Sequence, residues 1–129
     1  MPFVWRDYWV LANAVAIDQL PSGRLEAKRR TAISRAYYAA FHAAKAVVPW
    51  TELSGTGEDH RIVSEWLRNN GTDQGLVQAG RDLERLRVLR NRADYDAVFG
   101  SGRAEELREA TEIALQWSEA IRAATAPAT

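Results

Sequence analysis

The sequence predicts an all-α fold, an up-and-down antiparallel bundle of about five helices. Three observations carry that prediction. Alanine is very frequent and β-branched runs are absent, so helix formers dominate. Apolar residues recur at the i, i+3, i+4 spacing of a buried helical face. Gly, Pro and Ser fall into a few clusters that punctuate the chain: Pro21-Ser22-Gly23, Pro49 through Gly57, Asn69-Asn70-Gly71 with Gly75, and Gly100-Ser101-Gly102.

The first segment runs from about Pro2 to Leu20. Trp5, Trp9, Ala12, Ala16 and Leu20 form its stripe, and Pro2 suits a first turn, where a missing N–H is no loss. The second runs from about Ser22 to Val48, with Ile33, Ala36, Tyr37, Ala40, Phe41, Ala44, Val47 and Val48 on its apolar face. Ser22 reads as its N-cap and Pro49 enforces its end. The third, about Glu58 to Asn69, turns Ile62, Val63, Trp66 and Leu67 inward and stops at Asn69-Asn70-Gly71. The fourth, about Asp73 to Val98, has Leu76, Leu83, Leu86, Leu89 and Ala93 as its apolar line. The fifth, about Arg103 to Ala123, buries Ala104, Leu107, Thr111, Ala114, Trp117 and Ile121. Glu105, Glu106 and Glu109 in its first turns complement the helix dipole. The loop at 49–57, rich in Gly and Ser and carrying Trp50, is expected to be mobile.

At 129 residues the chain is about one domain's worth. We read residues 1–125 as a single helical domain and 126–129 as a frayed tail. The 17 basic residues are balanced by 17 acidic ones, which argues against a generic nucleic-acid coat but leaves local patches open. The absence of cysteine excludes disulfides, thiolate metal sites and a Cys nucleophile. Two histidines cannot build a His-rich metal site, although carboxylates could still hold a hard cation. No apolar run approaches the ~20 residues that span a bilayer. The opening Met-Pro-Phe-Val-Trp-Arg-Asp lacks the layout of a secretory signal, so the cytoplasm is the default expectation.

Familiar catalytic motifs are missing, and no cofactor is implied. Ser-Gly-Thr-Gly at 54–57 resembles a phosphate loop in composition only and reads as a linker. The fourth segment says more. Arg87, Arg90, Asn91 and Asp94 stand at i, i+3, i+4 and i+7, which gathers them on one side of a helix. Guanidinium forks match phosphate oxygens, and a carboxamide can bond a base or a sugar. The plainer reading is a solvated face with ion pairs such as Arg90 with Asp94. The second segment also carries a polar strip. Lys28, Arg29, Arg30 and Arg35 make its first half basic, and Ser34, Tyr38, His42 and Lys45 continue along one side. Basic groups interleaved with an aromatic suit single-stranded nucleic acid, and equally suit a dimer interface. Tyr37 is expected in the core and Tyr38 toward a neighbouring helix or subunit. The five tryptophans read as core and interface anchors.

Two stretches together carry a resemblance. Arg-Thr-Ala-Ile-Ser-Arg-Ala-Tyr-Tyr-Ala-Ala-Phe-His-Ala-Ala-Lys-Ala at 30–46 and Leu-Arg-Asn-Arg-Ala-Asp-Tyr-Asp at 89–96 are similar to motifs of the HEPN domain family (higher eukaryotes and prokaryotes nucleotide-binding). The similarity is to a prokaryotic, toxin-like branch, and His60 sits where that branch often has a histidine. The resemblance implies a HEPN-like helical bundle that often forms homodimers. It implies a partner, a minimal nucleotidyltransferase acting as antitoxin, and activity as a metal-independent endoribonuclease. The signature of active members is an Arg, then four to six residues, then a His, all on one helix.

Here Arg90 and Asn91 match the start of that signature, but no histidine follows on the segment, where Asp94 and Tyr95 stand instead. Cleavage through a 2′-hydroxyl needs a group that exchanges protons near neutrality, and Asp94 beside two arginines stays ionised, a poor acid. Two readings follow. One is an RNA-directed effector in which Arg90 contacts phosphate, Asn91 positions the substrate, Asp94 orients the arginine and Tyr95 donates a hydrogen bond. Arg87, Arg35, Tyr38 and His42 would add RNA or phosphate contacts. The other is a non-catalytic dimer that binds a nucleotide or a protein. A bundle with no ligand leaves the Arg87–Asp94 clustering to chance.

Overall fold

The structure, a computed structural model, describes residues 9, 10, 12, 13, 22–69 and 73–126. It is all-helical there: α1 (Ser22–Lys45), a 3₁₀ turn (Trp50–Glu52), α2 (Asp59–Asn69), α3 (Gln74–Tyr95) and α4 (Ala104–Ala124). These are the second to fifth segments of the sequence reading. The first lies mostly outside the described residues. Trp9, Val10, Ala12 and Asn13 are helical, and Ala12 is fully buried, as its stripe requires. The Asn70-Gly71 part of the stop after α2 also lies outside.

Helix ends follow local chemistry. α1 stops three residues short of Val48, because the residue before a proline is pushed out of the α region. The chain leaves through two tighter turns, Val47 N–H to Ala44 O and Val48 N–H to Lys45 O. Asp73 caps α3, its carboxylate accepting from the Gly75 N–H at 2.8 Å. At the other end α3 stops at Tyr95, not Val98. There Arg30 of α1 donates to Ala93 O at 3.1 Å and to Asp96 O at 2.6 Å, satisfying carbonyls that the helix end leaves open. Arg30 also pairs with Glu26 at 3.3 Å. The loop between α3 and α4 turns on Gly100 and Gly102, both at positive φ.

The core lies where α1, α3 and α4 meet. Ile33, Tyr37, Leu83, Leu86, Ala114 and Ile121 are essentially inaccessible to solvent. Thus the apolar periodicities of the sequence mark the buried faces, except at Ala104, which is exposed at the first position of α4, where the helix begins beyond the core. The buried Ser118 hydroxyl donates to Ala36 O at 2.7 Å, joining α4 to α1. α2 rests on α3 around Gly80, where a Cβ would sit 2.8 Å from Ser64 O and 2.9 Å from the Leu67 and Arg68 side chains. Trp66 and Trp117 pack against the core from its edge, whereas Trp50 is 82% exposed. Among the described residues no helix is long and apolar enough to cross a membrane.

The loop before α2 is organised by one carboxylate. Asp59 is buried and accepts from the Ser54 N–H (2.7 Å), the Ser54 hydroxyl (2.8 Å) and the Gly55 N–H (3.0 Å), with Lys45 Nζ 3.9 Å away. Those donors hold its carboxyl below the ordinary value, the Ser54 N–H most of all. Ser-Gly-Thr-Gly therefore wraps an internal anion.

Candidate functional site

α1 and α3 cross antiparallel, and the site follows from that register. Arg30, Ser34 and Tyr38 ascend α1 at i, i+4 and i+8 and meet Asp96, Asp94 and Arg90 in descending order on α3. Apolar spacing alone turned these faces toward each other. Ile33, Ala36 and Tyr37 on α1 and Leu83, Leu86 and Ala93 on α3 are buried, which leaves the polar side chains to meet along the rim.

Arg90 is the centre of the strip. Its Nη2 donates to the Tyr38 hydroxyl at 2.6 Å and its Nη1 to Asn91 Oδ1 at 3.0 Å. Its buried Nε lies 2.9 Å from Asp94 Oδ2 but off line for a hydrogen bond, so that contact is an ion pair. The Ser34 hydroxyl donates to the same Asp94 oxygen at 3.4 Å. The guanidinium carbon stands 5.2 Å from the Tyr38 ring centre, 5.8 Å from that of Tyr95 and 6.0 Å from that of Tyr37. Only 17% of the Arg90 side chain is exposed, so its orientation is fixed by the protein rather than by solvent. The plainer reading of the sequence, an Arg90–Asp94 ion pair, is realised. It accounts for one face of a guanidinium that three tyrosine rings surround.

Beneath the arginine lies an aromatic cluster. Tyr37, Tyr38, Phe41 and His42 come from α1, and His60 from the first turn of α2. His60 stacks on Phe41 at 4.2 Å between ring centres, and its Nδ1 lies 2.5 Å from the Tyr37 hydroxyl. His42 stacks on Tyr38 at 6.4 Å. Burial, with Lys45 and then His60 nearby, pulls the His42 pKa down to about 4. Burial and the positive charges of Arg87 and Arg90 lower His60 as well, against a smaller opposing pull from Asp59. Burial pushes the Tyr37 hydroxyl well above its usual range. Both imidazoles are therefore neutral at pH 7.

A groove of about 360 Å³ runs beside the strip, lined by Ala27, Arg30, Thr31, Ser34, Arg35, Ala93 and Asp94. Among the described residues no three His, Asp or Glu side chains converge to hold a metal.

A family model described as HEPN domain matches residues 22–122, well over half of the chain. The chain belongs to the HEPN domain family. No curated protein and no solved structure matches it significantly. Within this HEPN domain the eight site residues expected from the sequence do not form one cluster. Arg90, Asn91, Asp94 and Tyr38 are joined by hydrogen bonds or ion pairing, and Tyr95 flanks them, 74% exposed. Arg35 lines the neighbouring groove. Arg87 is half-buried and acts on Tyr37 and His60 through its charge. His42 stacks on the Tyr38 ring beside the strip.

The basic first half of α1 is divided rather than continuous. Arg30 is spent on the end of α3, and Arg29 faces a separate cavity of about 230 Å³ with Phe99 and Arg103. The candidate site also contains a residue pair that sequence spacing does not reveal. Tyr37 and His60 are 23 positions apart across a loop, and neither periodicity nor motif predicts their hydrogen bond. His60's place opening its helix was the only signal in the sequence.

Proposed function

We propose that this HEPN-domain protein is an RNA-directed effector of a toxin–antitoxin or defence system, working as a homodimer and restrained by a minimal nucleotidyltransferase. The observation that carries the reading is the held guanidinium of Arg90, aimed by Tyr38, Asn91 and Asp94 beside a groove between α1 and α3. A guanidinium fixed before a ligand arrives loses little freedom on binding phosphate, which favours recognition and stabilises charge that develops on a phosphodiester. Arg87 and Arg35 add positive charge nearby, Asn91 positions the sugar or base, and Tyr95 offers an exposed hydroxyl and ring.

A second reading is a non-catalytic module that binds a nucleotide or a protein. It is favoured by the titratable groups under Arg90: burial takes His42 down to about 4, lowers His60 and raises Tyr37, each away from the neutral range in which a side chain exchanges protons readily. Incubation of purified wild type and Arg90→Ala with total RNA and a tRNA mixture, chelator present, separates the two. Cleavage by wild type alone supports the effector as an enzyme. Absence of cleavage, with RNA or nucleotide binding that depends on Arg90, supports the module. RNA cleavage or binding unchanged in Arg90→Ala removes the strip from either role.

A further inference from the structure

We infer that Tyr37 fixes His60 in the tautomer that carries its proton on Nε2, and that this N–H is a phosphate donor of the Arg90 site. The inference rests on the RNA-directed reading for its ligand, a phosphodiester or nucleotide phosphate, but not for its geometry.

The Tyr37 hydroxyl is completely buried, and among the described residues its one hydrogen-bond partner is His60 Nδ1, at 2.5 Å. A buried phenol must place its proton on an acceptor, and a neutral imidazole offers one only at a nitrogen that carries no hydrogen. Tyr37 therefore donates to Nδ1, and the ring proton resides on Nε2. Three contacts hold the ring plane: Phe41 stacked at 4.2 Å, Tyr37 at 5.6 Å and Tyr38 edge-on at 6.3 Å. Nε2 has no hydrogen-bond partner among the described residues and is not a buried unpaired atom. His60 is half-buried, so this edge of the ring is the one left to meet a ligand.

Position makes the donor relevant. The same two tyrosines that contact His60 also lie under Arg90, whose guanidinium carbon is 6.0 Å from Tyr37 and 5.2 Å from Tyr38. The charged groups acting on His60 are Arg87 and Arg90 from α3, Lys45 from α1 and Asp59 beside it. Two arginines near an imidazole disfavour a third positive charge there, so His60 serves as an N–H donor rather than a proton shuttle. Tyr37 is then a positioning residue.

The test uses ¹⁵N-labelled full chain and long-range imidazole ¹H–¹⁵N spectra at pH 7, with a short oligouridylate as probe. Wild type is expected to show His60 protonated on Nε2, and Tyr37→Phe to show a mixture of tautomers. On adding the probe, the His60 Nε2 and Arg90 Nε resonances should both shift. Because the role is donation, His60→Gln should hold the probe within about threefold of wild type, whereas His60→Phe, which keeps the stack on Phe41, should weaken it about tenfold. Protonation on Nδ1 in wild type overturns the tautomer assignment whatever RNA does. Arg90 shifting while His60 stays silent overturns the donor role alone. Neither shifting overturns the phosphate site as a whole. Equal weakening in His60→Gln and His60→Phe, with both folded, overturns donation, because an N–H donor at that position then recovers no affinity.

Discussion

The Tyr38 hydroxyl accepts a 2.6 Å hydrogen bond from Arg90 Nη2, tying the middle of α1 to the last turns of α3 across 52 positions of sequence. That bond fixes where the guanidinium points, and it involves a charged donor, the stronger kind. Tyr38→Phe keeps the ring beneath the guanidinium and removes the acceptor. It should cost about 1.5–3 kcal/mol in stability, the range for hydrogen bonds to charged groups. On the RNA-directed reading, affinity for an oligoribonucleotide should fall less than in Arg90→Ala, because the charge remains. Urea unfolding and fluorescence titration with oligoribonucleotide check the two halves. Identical binding by Tyr38→Phe and Arg90→Ala would mean that orientation, not charge, is what RNA reads.

Gly80 is required by contact rather than by conformation. A methyl there would meet a backbone carbonyl, Ser64 O, at 2.8 Å, and backbone cannot step aside as a side chain end can. Gly80→Ala should gain helix propensity but lose more through separation of α2 from α3, a net destabilisation of about 1–3 kcal/mol. A urea midpoint equal to or above wild type would show that α2 shifts freely on α3.

Arg30 acts as a tertiary cap for α3, donating to Ala93 O and Asp96 O. Arg30→Met keeps the aliphatic stem and removes the donors. The expected result is faster amide hydrogen exchange over the last turn of α3 and the residues after it, with a loss of about 1–2 kcal/mol. Exchange that accelerates equally in α1 and α4 would point to global destabilisation instead.

Acidification should unfold the protein by a route the histidines dominate first. The folded pKa of His42 is about 4 against 6.5 for an ordinary histidine, and His60 is lowered in the same direction. Below 6.5 the unfolded chain takes up protons that the folded chain refuses, so stability declines as pH falls from 6.5 toward 4. Asp59 and Glu106, both held below ordinary carboxylates, lose their contribution only as pH falls through the carboxylate range. Melting temperature should therefore drop between about pH 7 and pH 5. The His42→Gln, His60→Gln double variant should flatten that slope. A slope unchanged in the double variant would assign acid sensitivity to other groups.

The helices and the faces they bury were legible in the residue pattern, because both follow from the chemistry and spacing of residues a few positions apart. The 3.6-residue period of Ile33, Ala36, Tyr37 and Ala40 and the Pro49 stop are of this kind. The pattern also determined that Arg90, Asn91 and Asp94 share a side of α3, since helical spacing sets that alone. Which α1 residues meet that side depends instead on how the two helices pack. The antiparallel crossing of α1 and α3 placed Tyr38 on Arg90, Ser34 on Asp94 and Arg30 on the end of α3. The same packing took Arg30 out of the basic strip and brought His60 to Tyr37. Spacing along one helix cannot report a register between two, because that register is set by how the apolar side chains of both interlock.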